Sequence, residues 1–203
     1  MTILPASHVI TGMTHFAIPE NVEGLIFDCD GTIADTMPLH YKAWQTALGP
    51  HAQFFPETVF YELAGMPSAQ IVTLLNERHR CNMDVDAVSH YKEELFQQYL
   101  PEVTVIAPVA EIVKLYHGRL PMAVATGGTR RNCVRTLELL NLAQYFQAVV
   151  TADEVPHGKP DPDIFLEAAR RLKIDPEKCL VFEDADLGVQ AARSAGMAVI
   201  DIR

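Results

Sequence analysis

The sequence predicts an α/β protein: a doubly wound parallel sheet with a small all-helical insertion after its first strand. Three observations predict it. Five apolar, β-rich runs recur along the chain, helix-period segments separate the last four, and the long interval between the first run and the second carries helical patterns alone.

The first run is "GLIF" at 24–27, followed by "PMAVAT" at 121–126, "AVVTA" at 148–152, "CLVFED" at 179–184 and "MAVID" at 197–201. Each is continuous rather than alternating, as expected of strands covered by helices on both faces. Between them lie "RNCVRTLELLNL" at 131–142, "DPDIFLEAARRLKI" at 161–174 and "ADLGVQAARSAG" at 185–196. In the last of these Asp186 is placed to cap the helix start and Gly196 to end it. Within residues 38–100, "PLHYKAWQTAL", "PETVFYELAG", "SAQIVTLLNERHR" and "DAVSHYKEELFQQYL" read as four helices. Pro38 and Pro56 stand near two starts, Ser68 is a candidate N-cap, and Gly65 and Pro101 stand near ends. Asp35 or Thr36 is the expected N-cap of the first. Their place directly behind the first strand predicts a core of residues 1–37 and 101–203 and a helical cap of residues 38–100, the alternative being one continuous domain. Residues 1–20 show no period and read as either a frayed tail or a wrap around the core.

The 203 residues, 49% of them hydrophobic, suffice for one substantial core. Sixteen Lys and Arg against 26 Asp and Glu leave a net charge of −10 and no basic footprint for a nucleic-acid partner. No apolar run reaches the roughly 18 residues of a membrane helix. No Lys or Arg precedes Lys42, so a secretory or transit segment is not signalled and a cytoplasmic location is expected. The four cysteines, Cys29, Cys81, Cys133 and Cys179, form no C-x-x-C pair and read as reduced, mostly buried thiols.

Asp28 and Asp30 fall where the first strand pattern ends at Gly31. Two carboxylates so close repel, and a hard cation such as Mg²⁺ is the simplest means of keeping both ionised. Glu183 and Asp184, at the end of another strand, supply further oxygens. With a metal present one carboxylate can attack phosphorus, forming an aspartyl-phosphate, while its neighbour protonates the leaving group and later accepts a proton from water. Asp28 takes the first role and Asp30 the second. Thr126, with Gly127 and Gly128 ahead of a helix, and Lys159 in "HGKPDP" are the donors for the phosphoryl oxygens. A calcium loop is excluded, because Ile33 and Leu39 occupy the positions its glycine and bidentate glutamate require.

"DCDGTIADT", "TGG" at 126–128, "KPDPDIF" from Lys159 and "FEDADLGVQAARSAGM" from Phe182 resemble, in order and spacing, the four motifs of haloacid dehalogenase superfamily phosphatases. The short helical cap resembles that of the β-phosphoglucomutase-like subfamily, and the wording of the last motif is most similar to bacterial fructose-1-phosphate phosphatases. The resemblance implies Asp28 as nucleophile and Asp30 as acid/base and, through its carbonyl, a metal ligand. It also implies Thr126 and Lys159 on phosphate, and Glu183 and Asp184 at Mg²⁺. The expected activity is Mg²⁺-dependent hydrolysis of small phosphorylated sugars or sugar acids, of the fructose-1-phosphate or 6-phosphogluconate type. The rival readings are a sugar phosphomutase and a binding protein without turnover. Where the mutase carries a lysine and an arginine that grip a second phosphate, this chain has Ala64 and Ser68. His40 and Trp44 match cap-helix positions of the family, so His40 either meets substrate at the junction or packs the cap. Arg130 and Arg131 either meet substrate or lie on a helix surface; His157 has no expected role.

Overall fold

The computed structural model describes residues 16–203. The part of the reading for residues 1–20 that concerns residues 1–15 lies outside the described residues; Phe16 and Ile18 pack against the core.

Among the described residues five strands form a parallel sheet: β1 (Gly24–Phe27), β4 (Met122–Thr126), β5 (Ala148–Thr151), β6 (Cys179–Glu183) and β7 (Ala198–Asp201), ordered β5-β4-β1-β6-β7. Their side chains alternate between two cores. Leu25, Phe27, Met122 and Val124 enter one, covered by α5 (Ala107–Tyr116) and α6 (Arg130–Leu139) through Val109, Val113 and Leu137. Ile26, Ala123, Ala125 and Val181 enter the other, covered by α7 (Asp163–Leu172) and α8 (Asp186–Ser194) through Ile164, Phe165 and Ala192. Burial on both faces is why the runs of β1, β4 and β6 are apolar up to their carboxyl ends, while the edge strands β5 and β7 are only partly covered. Phe27 pairs in register with Phe182 of β6, and their rings stack at 4.8 Å. From β1 the chain moves out to β4 and β5 and then returns to β6 on the other side of β1. The carboxyl ends of β1, β4 and β6 consequently converge at the switch point where ligands bind in such sheets.

Residues 37–99 fold as α1 (Met37–Leu48), α2 (Glu57–Glu62), α3 (Ser68–His79) and α4 (Val85–Tyr99). They have apolar clusters of their own. Trp44, Phe55, Phe60, Val72 and Leu75 form one, while Leu39, Ala43, Leu95 and Phe96 join α1 to α4 in a second. The chain leaves the sheet through β2 (Ala34–Asp35) and returns through β3 (Thr104–Val105), and these two-residue strands pair antiparallel as a stem.

Several local expectations change. Ser68 is the first residue of α3 rather than its N-cap, a place taken by Pro67. Asp186 likewise begins α8 after Ala185, and its carboxylate pairs with Arg203 instead of capping. Thr36 does stand at the N-cap of α1, but its hydroxyl makes no capping bond. Gly196 ends α8 with φ +75°, as its position predicts. Helix α5 and the β2–β3 stem had no counterpart in the sequence reading. No helix among the described residues is long and apolar enough to cross a membrane.

Candidate active site

At the end of β1 the ladder continues for one residue, Asp28 N–H donating to the Phe182 carbonyl at 3.0 Å, and the chain then coils back on itself. The amides of Ile33 and Ala34 both donate to the Cys29 carbonyl at 3.0 Å, and Gly31 makes the turn with φ +85°. Cys29 is fully buried in the core, while Asp28 and Asp30 on either side of it both line one cavity of about 390 Å³. Strand alternation places the two acids together and the thiol away from them. The cavity lies between the sheet end and the helices of 37–99, which contribute His40, Ser68 and Lys92 to its wall.

Lys159 spans two carboxylates, its Nζ donating to Asp28 Oδ1 at 2.6 Å and to Glu183 Oε1 at 2.5 Å. All three side chains are buried. The other oxygen of Glu183 accepts from the Ala185 amide at 2.7 Å, and the carboxylate lies so close over Gly188 that no side chain fits there. Asp184 lies across Gly31 in the same way and accepts from the Thr32 hydroxyl at 2.8 Å. Burial raises the Asp28 carboxyl well above the usual range; Lys159 opposes this, and Glu183, Asp184 and Asp30 reinforce it. Burial and the charge of Glu183 push Asp184 up to about 6. Burial would lower Lys159, but the charges of Asp28 and Glu183 outweigh it and keep the ammonium protonated.

Asp30 is treated differently. Its Oδ1 accepts from the Thr36 hydroxyl at 2.7 Å and faces His40 Nε2 at 3.3 Å, while Oδ2 accepts from Thr126 at 3.4 Å. The His40 ring stacks on Phe96 at 3.8 Å, and its Nδ1 lies 3.0 Å from Lys92 Nζ. An ammonium can only donate, so Nδ1 accepts and the ring proton sits on Nε2, directed at Asp30. Burial, then Lys92, lowers the His40 pKa and keeps the ring neutral. Burial raises Asp30, but His40, Thr36 and Lys92 prevail and hold it at about 2. Lys92 also donates to Glu93 at 2.9 Å, and Glu93 accepts from Ser68 at 2.7 Å and from Asn132 at 2.5 Å.

A glycine loop follows β4. Thr126 is buried, its hydroxyl accepting from the Gly128 amide at 3.0 Å. A Cβ on Gly127 would meet the Gly65 carbonyl at 2.9 Å, so the loop between α2 and α3 rests directly on the glycine loop after β4.

The sequence-derived residues Asp28, Asp30, Thr126, Gly127, Lys159, Glu183, Asp184 and His40 thus all line one cavity. Thr32, Thr36, Lys92, Glu93 and Asn132 were missed. Lys92 left a signal: it stands at helical spacing with Val88, Leu95, Phe96 and Tyr99, a lysine inside an apolar stripe. Arg130 is tied to Glu154 at 3.0 Å and to the Val149 carbonyl, on the helix surface, and His157 pairs with Asp163.

A divalent cation fits the donor set by one test. The carboxylates of Asp28, Asp30, Glu183 and Asp184 line the cavity together with Lys159 and Lys92, a set of hard oxygen donors richer in negative than in positive charge. No three His, Cys, Asp or Glu side chains among the described residues form a ready-made cage. Mg²⁺ does not require one, since it keeps several waters and takes one or two carboxylates together with substrate oxygens.

The fold and site define a doubly wound α/β enzyme that sets paired carboxylates and a lysine at its switch point. Residues 25–202 match the haloacid dehalogenase-like hydrolases, and the chain belongs to that family. It is 43% identical to the fructose-1-phosphate phosphatase YqaB of Escherichia coli over 91% of this chain and 98% of that protein. It is 33% identical to a phosphorylated carbohydrates phosphatase of Thermotoga maritima over 87% of this chain and 82% of that protein. The β-phosphoglucomutase structure from Clostridium difficile shares the fold, with a TM-score of 0.77 at 22% identity over 89% of this chain and 84% of that one.

Proposed function

We propose that the protein is a Mg²⁺-dependent phosphatase of small phosphorylated sugars that works through a phosphorylated Asp28, with residues 38–100 as a cap over the site. The observation that carries this reading is the different support given to two neighbouring acids. Asp28 is ion-paired to Lys159 and presented to the cavity; Asp30 is oriented by Thr36 and a neutral His40.

In the first half-reaction an Asp28 carboxylate oxygen attacks phosphorus and the bond from phosphorus to the sugar oxygen breaks. Asp30, held ionised by His40 and Thr36, takes a proton from solvent as the negatively charged phosphate enters beside it, and passes that proton to the departing oxygen. In the second half-reaction Asp30 takes a proton from water, whose oxygen attacks the phosphorus and frees Asp28 and inorganic phosphate. Thr126, the amide of Gly127, and Lys159 hold the phosphoryl oxygens, while the Gly128 amide holds the Thr126 hydroxyl in place. Asp28, Asp184 and the Asp30 carbonyl would hold Mg²⁺, which supplies positive charge that lets carboxylate and phosphate approach. Glu183, whose oxygens are already engaged by Lys159 and the Ala185 amide, serves to hold Lys159 in place. His40 acts on Asp30 rather than on the sugar.

The likeness to the E. coli enzyme favours fructose-1-phosphate as substrate. Hydrolysis is favoured over phosphate shift within the sugar because the Ser68 hydroxyl is spent on Glu93 and Ala64 offers no charge, so no second phosphate is gripped there. Phosphate release and sugar isomerisation, assayed with Mg²⁺ and with chelator on fructose-1-phosphate, 6-phosphogluconate and β-glucose-1-phosphate, test the reading. Mg²⁺-dependent release is expected; isomerised sugar without release would make the protein a mutase.

A further inference from the structure

Asn132 is a polar side chain in a buried place. It is 6% exposed, on the first turn of α6 directly behind the phosphate loop, and its neighbours Cys133 and Leu137 are buried in the core. Both ends of its amide are committed to the cap. Nδ2 donates to Glu93 at 2.5 Å, and Oδ1 accepts from the side chain of Gln97. Glu93 and Gln97 lie four residues apart on α4 and present one face to it. Beyond Glu93 the hydrogen bonds continue through Lys92 and His40 to Asp30. An unbroken chain of contacts therefore leaves the core behind the phosphate-binding loop, crosses the cap, and re-enters the core at the proton donor.

We propose that Asn132 is a positioning residue, a core-side latch that fastens α4 over the site and thereby fixes Asp30 for proton transfer to the leaving group. The proposal rests on the phosphatase reading above. With the latch closed, Glu93 is anchored from both sides, by Ser68 within the cap and by Asn132 on the core, and Lys92 is held where it fixes the His40 tautomer. Without it, α4 keeps its internal bonds but loses its polar hold on α6, and His40 no longer has a fixed place relative to Asp30.

Leaving-group dependence separates this role from a purely structural one. A sugar alkoxide needs the proton of Asp30 to depart, whereas p-nitrophenolate does not, and kcat/KM registers only the steps through phosphoryl transfer to Asp28. With Mg²⁺ present, Asn132→Ala is expected to lower kcat/KM for fructose-1-phosphate by about tenfold to a hundredfold. For p-nitrophenyl phosphate the loss should stay under about threefold. Glu93→Gln, which keeps the shape of the side chain, should show the same split, and the double variant should lose little beyond either single one. Equal losses on both substrates, or no loss on either, would overturn the latch. Wild-type protein that releases phosphate from neither compound would overturn the phosphatase reading and the latch with it.

Discussion

Lys159 sets one positive charge between two buried carboxylates, so the site is short of positive charge before any ligand arrives. Removing it leaves Asp28 and Glu183 buried and unpaired. Lys159→Met is expected to destabilise the fold by about 3–5 kcal/mol in denaturant melts and to abolish turnover; an unchanged midpoint would contradict the ion-pair account. Asp184 gives a second readout. Its carboxyl, raised to about 6 from an ordinary 3.8, binds a proton more readily in the folded chain than in the unfolded one. Its contribution to metal-free stability is therefore fully present below about pH 4 and lost as pH rises through about 6. Relative to Asp184→Asn, metal-free wild type should lose about 3 kcal/mol at most across that window, and Mg²⁺ should restore it. Parallel curves for the two proteins would refute the assignment. The acids themselves were legible because D-x-D at a strand end is a local pattern. The target of His40 was not: its partners Asp30, Lys92 and Phe96 come from three segments, and only the packing of α1 on α4 brings them together.

The elements around the site place a glycine loop of the cap against a glycine loop of the core. Gly127 does not need a positive φ, so alanine is acceptable to its backbone, but the new Cβ would press on the Gly65 carbonyl, a backbone atom that cannot swing aside. Gly127→Ala is expected to raise KM and lower kcat, with about a tenfold loss in kcat/KM and little change in Tm; kinetics equal to wild type would show that the two loops need not meet. Most elements could be read from sequence because each has a strong period or an uninterrupted apolar run, and β1, buried on both faces, is bounded by the residues expected. The β2–β3 stem is two residues per strand, too short to carry a period, and owes its existence to the return of the chain from the helical segment. Ser68 and Asp186 were misplaced by one position because a hydroxyl or carboxylate near a helix start can bond a distant side chain instead. Glu93 and Arg203 take those bonds here.

For the molecule as a whole, the chain carries a net charge of −10 yet is proposed to bind an anion. It reconciles these by using the switch point of the sheet, where three strand ends, a helix N-terminus and a buried lysine meet under the cap. Fold class was readable from the alternation of strands and helices, and family membership from four separated motifs; the cavity wall opposite the sheet was not, because it is built from α1, α3, α4 and α6 at once. The claim that unites these levels is that Asp28 carries the phosphoryl group in transit. Acid-quenching the Mg²⁺-loaded enzyme during turnover of phosphate-labelled fructose-1-phosphate, followed by peptide mapping, tests it most directly. The label should lie on the peptide containing Asp28 and be absent from Asp28→Asn, whose turnover should fall by at least about 10⁴-fold with the fold intact. Label on another residue, or turnover sustained by Asp28→Asn, would contradict the account.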